Sequence, residues 1–137
     1  MWIFYALLSA FFASLTAIFA KVGVKDVNSD LATAIRTVVI LVLAWSIVFF
    51  RGGASSISTI TRHSMLFLIL SGLATGCSWI FYFKAIQLGN ISQVAPIDKL
   101  SVALTIILAF IFLKEPISAK EIIGAGLIIG GSLVLIL

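Results

Sequence analysis

The residues best suited to chemistry in this chain are a few ionised side chains that adjoin long apolar stretches. Asp98 and Lys99 stand side by side in the segment VAPIDKLSVALTIILAFIFL, residues 94–113, which is otherwise mostly apolar. A charge at the centre of a membrane-spanning helix costs roughly 2.5–3.5 kcal/mol on insertion scales, and less near a helix end. Such residues are therefore candidates for binding an ion or a polar molecule.

The same positions also allow a structural explanation. If Ala95 is the N-cap of a helix, Pro96 takes the first helical position, where its missing N–H costs nothing. Asp98 then takes the third position, where the positive end of the helix favours a carboxylate. Capping and ligand binding are compatible, and both explanations of Asp98 stay open.

Three further basic residues extend the candidate binding site. Lys21 and Lys84 close apolar segments and Arg36 lies early in another, so with Lys99 they gather at one membrane face. Arg36 is the deepest, about 7–8 Å inside its segment at 1.5 Å per residue. We predict Asp98 as its partner, because an unpaired arginine in hydrocarbon is costly. Lys21 and Lys84 could instead extend their amines to the lipid headgroups.

Aromatic and hydroxyl side chains could line a path beside these charges. We predict that Trp79 and Tyr82 line it, although aromatic bulk is also ordinary in membrane spans. Polar residues three and four apart share one helical face. Two such ridges are predicted to face a cavity: Ser71, Thr75, Ser78 and Tyr82 in one segment, and Asp98, Ser101 and Thr105 in another.

The composition identifies lipid as the solvent of this chain. Hydrophobic residues make up 62 % of the 137 residues and charged residues 10 %, and the mean hydropathy is +1.27. Soluble proteins carry roughly 25 % charged residues. The net charge of +4 lacks the clustering that nucleic-acid binding requires. The single Cys77 and single His63 predict no disulfide, metal site or cofactor, and no catalytic set points to an enzyme.

Five apolar segments are long enough for membrane-spanning helices, which need about 20 residues. We predict an all-α integral membrane protein, a single domain over residues 1–137. Asp30 is predicted to cap the second helix, and Ser118 with Glu121 has the spacing of a capping box. The predicted spans are 2–21, 31–50, 65–84, 96–113 and 119–137.

The last segment and the loop charges bear on assembly. Gly124, Gly126 and Gly130 offer a G-x-x-x-G face for close helix contact, within the subunit or between subunits. Basic residues divide four to three between the two sides of the membrane, which favours a cytoplasmic N-terminus only weakly. Insertion in both orientations is therefore open.

Residues 78–135 resemble the second half of an EamA-type unit of the drug/metabolite transporter superfamily. The resemblance rests on an aromatic-rich helix with Tyr82 and Ala85, a helix opened by Pro96, the Lys114-Glu115 loop and a glycine-rich last helix. The first span ending in Lys21 and the second carrying Arg36 extend it over essentially the whole chain. Typical relatives have ten helices in two inverted units, whereas this chain is similar to the short bacterial and archaeal transporters with one unit.

The resemblance implies a secondary transporter of the bacterial or archaeal cytoplasmic membrane, paired as a homodimer that could be antiparallel. The basic residues suggest a small anionic or zwitterionic metabolite, exported by alternating access. Small multidrug relatives carry a glutamate in the first helix, which this chain lacks, and Asp98 is the nearest substitute. Two alternatives stay open: a flippase or carrier for an anionic lipid, and a membrane subunit that does not itself transport.

Overall fold

Long apolar sequences with few charges form helices throughout this protein. The computed structural model describes all 137 residues, Met1–Leu137, and every regular element is helical. The elements are α1 (Trp2–Gly23), α2 (Ser29–Phe50), a 3₁₀ helix (Gly53–Thr59), α3 (Arg62–Leu88), α4 (Ile91–Asp98), α5 (Leu100–Leu108), a π-helical turn (Ala109–Leu113) and α6 (Ala119–Ile136).

Five of these stretches are long and apolar enough to cross a bilayer, which confirms the predicted fold class. Four are the single helices α1, α2, α3 and α6. The fourth span in chain order, Ile91–Leu113, is composite and contains α4, α5 and the π-helical turn. A helix rises about 1.5 Å per residue, so each stretch approaches the roughly 30 Å of a hydrocarbon core.

The residues group into two compact units. One unit runs from Ala20 to Gln87 and holds α2, the 3₁₀ helix and α3; we call it the central unit. The other joins Met1–Phe19 to Leu88–Leu137, and we call it the terminal unit. Within the terminal unit, α6 packs against both α4 and α5.

The helix starts follow local capping chemistry. The capping box of α6 is confirmed: the Ser118 hydroxyl accepts from the Glu121 amide, and the Glu121 carboxylate accepts from the Ser118 amide. The predicted cap of α2 at Asp30 is wrong. Asn28 caps that helix, because its Oδ1 accepts from the amides of Asp30 and Leu31 at 2.9 and 3.2 Å. Asp30 lies in the first turn, where a carboxylate suits the helix dipole.

Two predicted boundaries are also wrong. Helix α3 continues beyond the predicted end to Leu88, so Lys84 lies inside its last turns rather than closing it. Helix α4 begins at Ile91, so Pro96 lies within the helix and not at its first position. A proline inside a helix removes one hydrogen bond of that helix, and the α-helical bonding is interrupted just after Pro96. The Lys99 amide bonds to Pro96 and the Val102 amide bonds to Lys99, three residues back, each at 3.0 Å.

Candidate functional site

The best-buried part of the central unit lies where α1 and α3 end and α2 begins. Val24 and Ile86 are 1 % and 0 % exposed, and Phe83 is 3 % exposed. Ser29 and Thr33, at the start of α2, are buried with them. Most other apolar side chains of this unit face outward, so this small core fixes three helix ends relative to one another.

Side chains bonded to backbone carbonyls reinforce this core. The Lys21 ammonium donates to the Ile86 carbonyl, near the negative end of α3. The Gln87 amide donates to the carbonyls of Val24 and Val27 at 3.1 and 2.8 Å. We call this region, with its core and these three bonds, the tied end of the central unit. The bond from Lys21 joins the end of α1 to the end of α3. This side chain therefore contributes to helix association and does more than extend towards headgroups.

Arg36 extends from α2 onto aromatic rings of α3 beside the tied end. Its guanidinium carbon lies 4.1 Å from the centre of the Trp79 ring and 5.3 Å from that of Phe83. Arg36 and Trp79 are half-buried and Phe83 is buried. Arg36 and Trp79 are therefore in direct contact, and their shared role in substrate binding stays a prediction. Phe83 was not singled out among the phenylalanines near Tyr82, although its position one helical turn after Trp79 places both rings on one face.

This geometry leaves arginine suited to an anion. Contact with a ring does not use up the N–H donors of a guanidinium, which can bind a carboxylate or phosphate in parallel. Arg36 lies about 10 Å from the start of α2, well inside the span. A charge inside the membrane loses the stabilisation that hydration provides. Contact with the aromatic rings replaces part of that stabilisation.

The other predicted residues of the central unit occupy the same helix. Tyr82 is half-buried between Trp79 and Phe83 in sequence, and Lys84 is exposed. The two predicted roles of Lys84, lining a cavity and reaching the headgroups, both stay open. Its place in the binding site stays a prediction, as does that of Tyr82.

Asp98 and Lys99 lie at a break in the fourth span. Asp98 ends α4, Lys99 joins it to α5, and the two form an ion pair at 3.5 Å with both side chains exposed. Because α4 begins at Ile91, Asp98 lies about 10 Å inside the span rather than at its mouth. The dipole explanation of Asp98 at a third helical position is therefore wrong. Asp98 and Arg36 belong to different units, and their pairing stays a prediction.

A serine from α6 stabilises this break. The Ser132 hydroxyl, on a buried residue, donates to the Pro96 carbonyl at 3.0 Å. The Pro96 carbonyl already accepts from the Lys99 amide, so the serine adds a second donor that bonds α6 to α4. Ser132 was missed by sequence reasoning, since only the packing of α6 against α4 identifies its acceptor.

Each predicted polar ridge contains a threonine that bonds within its own helix. Thr75 donates to the Ser71 carbonyl at 2.9 Å, and Thr105 donates to the Ser101 carbonyl at 2.8 Å. Threonine in a helix commonly bonds backward to its own backbone in this way. These two threonines therefore do not require a water-filled cavity, and the charged and aromatic groups are the stronger candidates for binding a ligand.

The glycines of α6 leave open space beside the helix. A Cβ atom built at Gly124, Gly126 or Gly130 would meet no neighbouring atom within 4 Å. Close contact inside the chain therefore does not explain them. Their role in packing against another subunit stays a prediction. The chain also contains no group of three or more His, Cys, Asp or Glu side chains arranged to hold a metal ion.

Five helices long and apolar enough to cross a bilayer, with charged groups inside them, are typical of an integral membrane protein. A model of the EamA-like transporter family matches residues 1–137, and the chain belongs to that family. It is 51 % identical over 134 residues to a Sinorhizobium sp protein named "Uncharacterized transporter in cobO 3'region", covering 98 % of this chain and 95 % of that protein. No solved structure matches the chain. Family and relative both point to transport rather than catalysis.

Proposed function

We propose that this chain forms a secondary transporter that moves a small anionic or zwitterionic metabolite by alternating access. The observation that carries the proposal is Arg36 stacked on Trp79 and Phe83 inside the membrane span. A membrane protein places a charge at such depth at a cost, so the charge is most simply explained by a ligand that needs it. The in-plane donors of the guanidinium suit a carboxylate or phosphate group.

The interrupted fourth span supports the same function. Secondary transporters commonly bind substrate where helices are discontinuous, because the broken backbone offers polar groups inside the membrane. Here the break carries Asp98 and Lys99, an acid and a base within 3.5 Å. We assign Lys99 to attract the anionic group and Asp98 to pair with Lys99 until substrate arrives. An amino group of a zwitterion would bind Asp98.

We further propose that the working form is a homodimer in the cytoplasmic membrane. Alternating access requires two halves that move against each other, and inverted repeats about a midplane site supply them in many transporters. The Sinorhizobium relative is matched over 95 % of its length, so it too has a single unit. The glycines of α6 have open space beside them and offer a contact face for the second subunit. The small charge bias favours a cytoplasmic N-terminus and permits an antiparallel pair.

Transport into proteoliposomes tests the proposal. Purified protein would be screened for uptake of labelled anionic, zwitterionic and cationic metabolites, followed by the variants Arg36→Gln and Lys99→Gln. A lost hydrogen bond to a charged group costs about 1.5–3 kcal/mol, so uptake of an anionic substrate should fall about 10- to 100-fold. Lys25→Gln removes one exposed positive charge from the central unit and serves as the matched control.

Several outcomes would count against this assignment. Uptake restricted to cations would contradict the proposal that Arg36 binds an anionic group of the substrate. Full activity in both Arg36→Gln and Lys99→Gln would remove the proposed site altogether. Tags placed at both termini would report orientation, and a single orientation in the membrane would exclude an antiparallel pair.

A further inference from the structure

A cleft opens in the central unit at the end remote from Arg36. It has a volume of about 540 Å³ and lies among the end of α2, the 3₁₀ helix and the start of α3. Its walls are mainly apolar, and its rim carries hydroxyl groups. The lining includes the apolar residues Trp45, Val48, Ile57 and Leu68 and the hydroxyl residues Thr61 and Ser64.

The backbone turn that shapes this cleft depends on one glycine. Gly52 follows the end of α2 with φ at +70°, a left-handed conformation that other residues rarely adopt. The chain then forms the 3₁₀ helix, which contacts α2, before Thr61 leads into α3. The Thr61 hydroxyl accepts from the Ser64 amide at 3.1 Å and donates to the Ser64 hydroxyl at 2.9 Å. The rim is thus ordered by bonds of its own.

Charge around the cleft is of one sign. Arg51 follows α2 directly and Arg62 begins α3, so an arginine stands at each side of the 3₁₀ helix, and both are exposed. His63 is exposed beside Arg62, with its ring 4.8 Å from that of Phe67. No Asp or Glu occurs anywhere between residues 31 and 97. The first turn of α3 therefore has no acidic residue to balance its positive end.

An apolar cleft at the end of two membrane spans, with exposed arginines next to its lining in sequence, matches one kind of molecule. We infer that the cleft binds an anionic phospholipid from the surrounding leaflet. Its phosphate lies between Arg51 and Arg62, and the upper part of an acyl chain lies against Trp45, Val48 and Leu68. A free polar anion would gain little from these apolar walls. A zwitterionic lipid also carries a positive group, and the two arginines have no neighbouring acid in the sequence to bind it.

This lipid site is separate from the proposed transport site. It lies at the opposite ends of α2 and α3 from Arg36 and uses none of the residues assigned to substrate. The bound lipid would fill the space between the two helices where protein contacts are lacking. The site therefore predicts a dependence on lipid headgroup that is independent of which metabolite is transported.

Thermal unfolding in mixed micelles tests the site. Phosphatidylglycerol, phosphatidylcholine and glycerol 3-phosphate would be added to wild-type protein and to Arg51→Gln/Arg62→Gln. Each basic residue near a membrane surface contributes to binding of anionic lipid, and loss of two should weaken the preference for phosphatidylglycerol roughly 30-fold. The matched control is Lys114→Gln/Lys120→Gln, which removes the same charge outside the cleft.

We expect phosphatidylglycerol to raise the unfolding temperature of wild type and of the lysine control, and to have little effect on the arginine variant. Equal stabilisation by phosphatidylcholine would overturn the proposal, since the arginines would then have no role. Equal stabilisation by glycerol 3-phosphate would also overturn it, since the apolar walls would then have no role. Loss of the effect in the lysine control would show a general charge effect instead of a site.

A second measurement does not depend on the arginine variant folding. Phosphatidylglycerol brominated on its upper acyl chain should quench Trp45 in wild type more strongly than brominated phosphatidylcholine does. The headgroup-dependent part of the quenching should disappear in Trp45→Phe. Equal quenching by both lipids would contradict the inference, and so would protection of Trp45 from both, which would indicate that a second copy of the chain covers the cleft.

Discussion

The two ends of the α2–α3 pair are built in opposite ways. At the tied end, apolar side chains are almost fully buried and three side-chain bonds reach backbone carbonyls of neighbouring segments. At the cleft end, Trp45, Ile57 and Leu68 are 43 %, 46 % and 62 % exposed around open space. The hydroxyl bonds there stay within the loop and the start of α3.

This difference shows what holds helices together when lipid is the solvent. Apolar burial drives association weakly in a membrane, because lipid tails are as apolar as leucine. Close packing and polar bonds between segments must supply the rest, and the tied end has both. Arg36 contacts Phe83 of that same core, so the proposed binding residue is held by the more rigid end. The cleft end has neither, and its shape can adapt to lipid.

The largest effect on stability should come from the centre of the tied end. Ile86→Ala removes a side chain that is 0 % exposed, and by analogy with buried isoleucines in other cores it should destabilise the fold by about 2–3 kcal/mol. Ile69→Ala, on the same helix but 54 % exposed, should cost less than about 1 kcal/mol. Unfolding in detergent would compare them, and equal losses would mean that the tied end is not the core.

Removing the ring beneath Arg36 should have the next largest effect. Trp79→Leu deletes a cation–π contact worth about 1–2 kcal/mol when it is shielded from water. The KM for the anionic solute that wild type carries fastest should therefore rise roughly 5- to 30-fold. Trp79→Phe should restore part of the loss because a ring remains. A fall in unfolding temperature without any change in KM would assign Trp79 to packing alone.

Gln87 tests whether polar bonds contribute beyond packing. Gln87→Leu keeps the bulk of the side chain but removes the bonds to the carbonyls of Val24 and Val27. Hydrogen bonds between membrane segments average about 0.6 kcal/mol each, so the loss should be about 1 kcal/mol. Amide exchange in residues 24–28 should also accelerate. Gln93→Leu, at an exposed position of α4, should change neither quantity.

The smallest effect is expected at the cleft end. Leu68→Ala shortens a wall residue that is 62 % exposed, and it should change the free energy of unfolding by less than about 0.5 kcal/mol. In the presence of phosphatidylglycerol the difference from wild type should grow, because the acyl chain then contacts Leu68. A large loss without lipid would show that the cleft end is packed after all.

Sequence reasoning succeeded where a single segment determines the outcome. Apolar length was enough to predict the five spans, and the spacing of Ser118 and Glu121 was enough to predict a capping box. It failed where two neighbouring residues compete for one role, as when Asn28 rather than Asp30 caps α2. It also failed at Pro96, because proline opens many helices and the sequence does not show that Ser132 lies beside its carbonyl.

The candidate site was predicted in its parts but not in its contacts. The cost of a charge in lipid singled out Arg36 and Asp98 as candidates, and Trp79 was a candidate as an aromatic residue in the interior of a span. The stacking of Arg36 on Trp79 and Phe83 depends on how α2 lies against α3, which no local pattern encodes. Gln87 and Ser132 were overlooked for the same reason, since each acts on a carbonyl far away in the chain.

The threonines and serines that donate to carbonyls of their own helices have a consequence for biogenesis. Thr37 and Ser46 in α2 and Thr75 in α3 each complete their hydroxyl bonding before any second helix is present. A newly synthesised span of this kind can enter the bilayer alone without leaving a hydroxyl unsatisfied. Insertion and assembly can then proceed as separate steps, with partners chosen only after every span is in lipid.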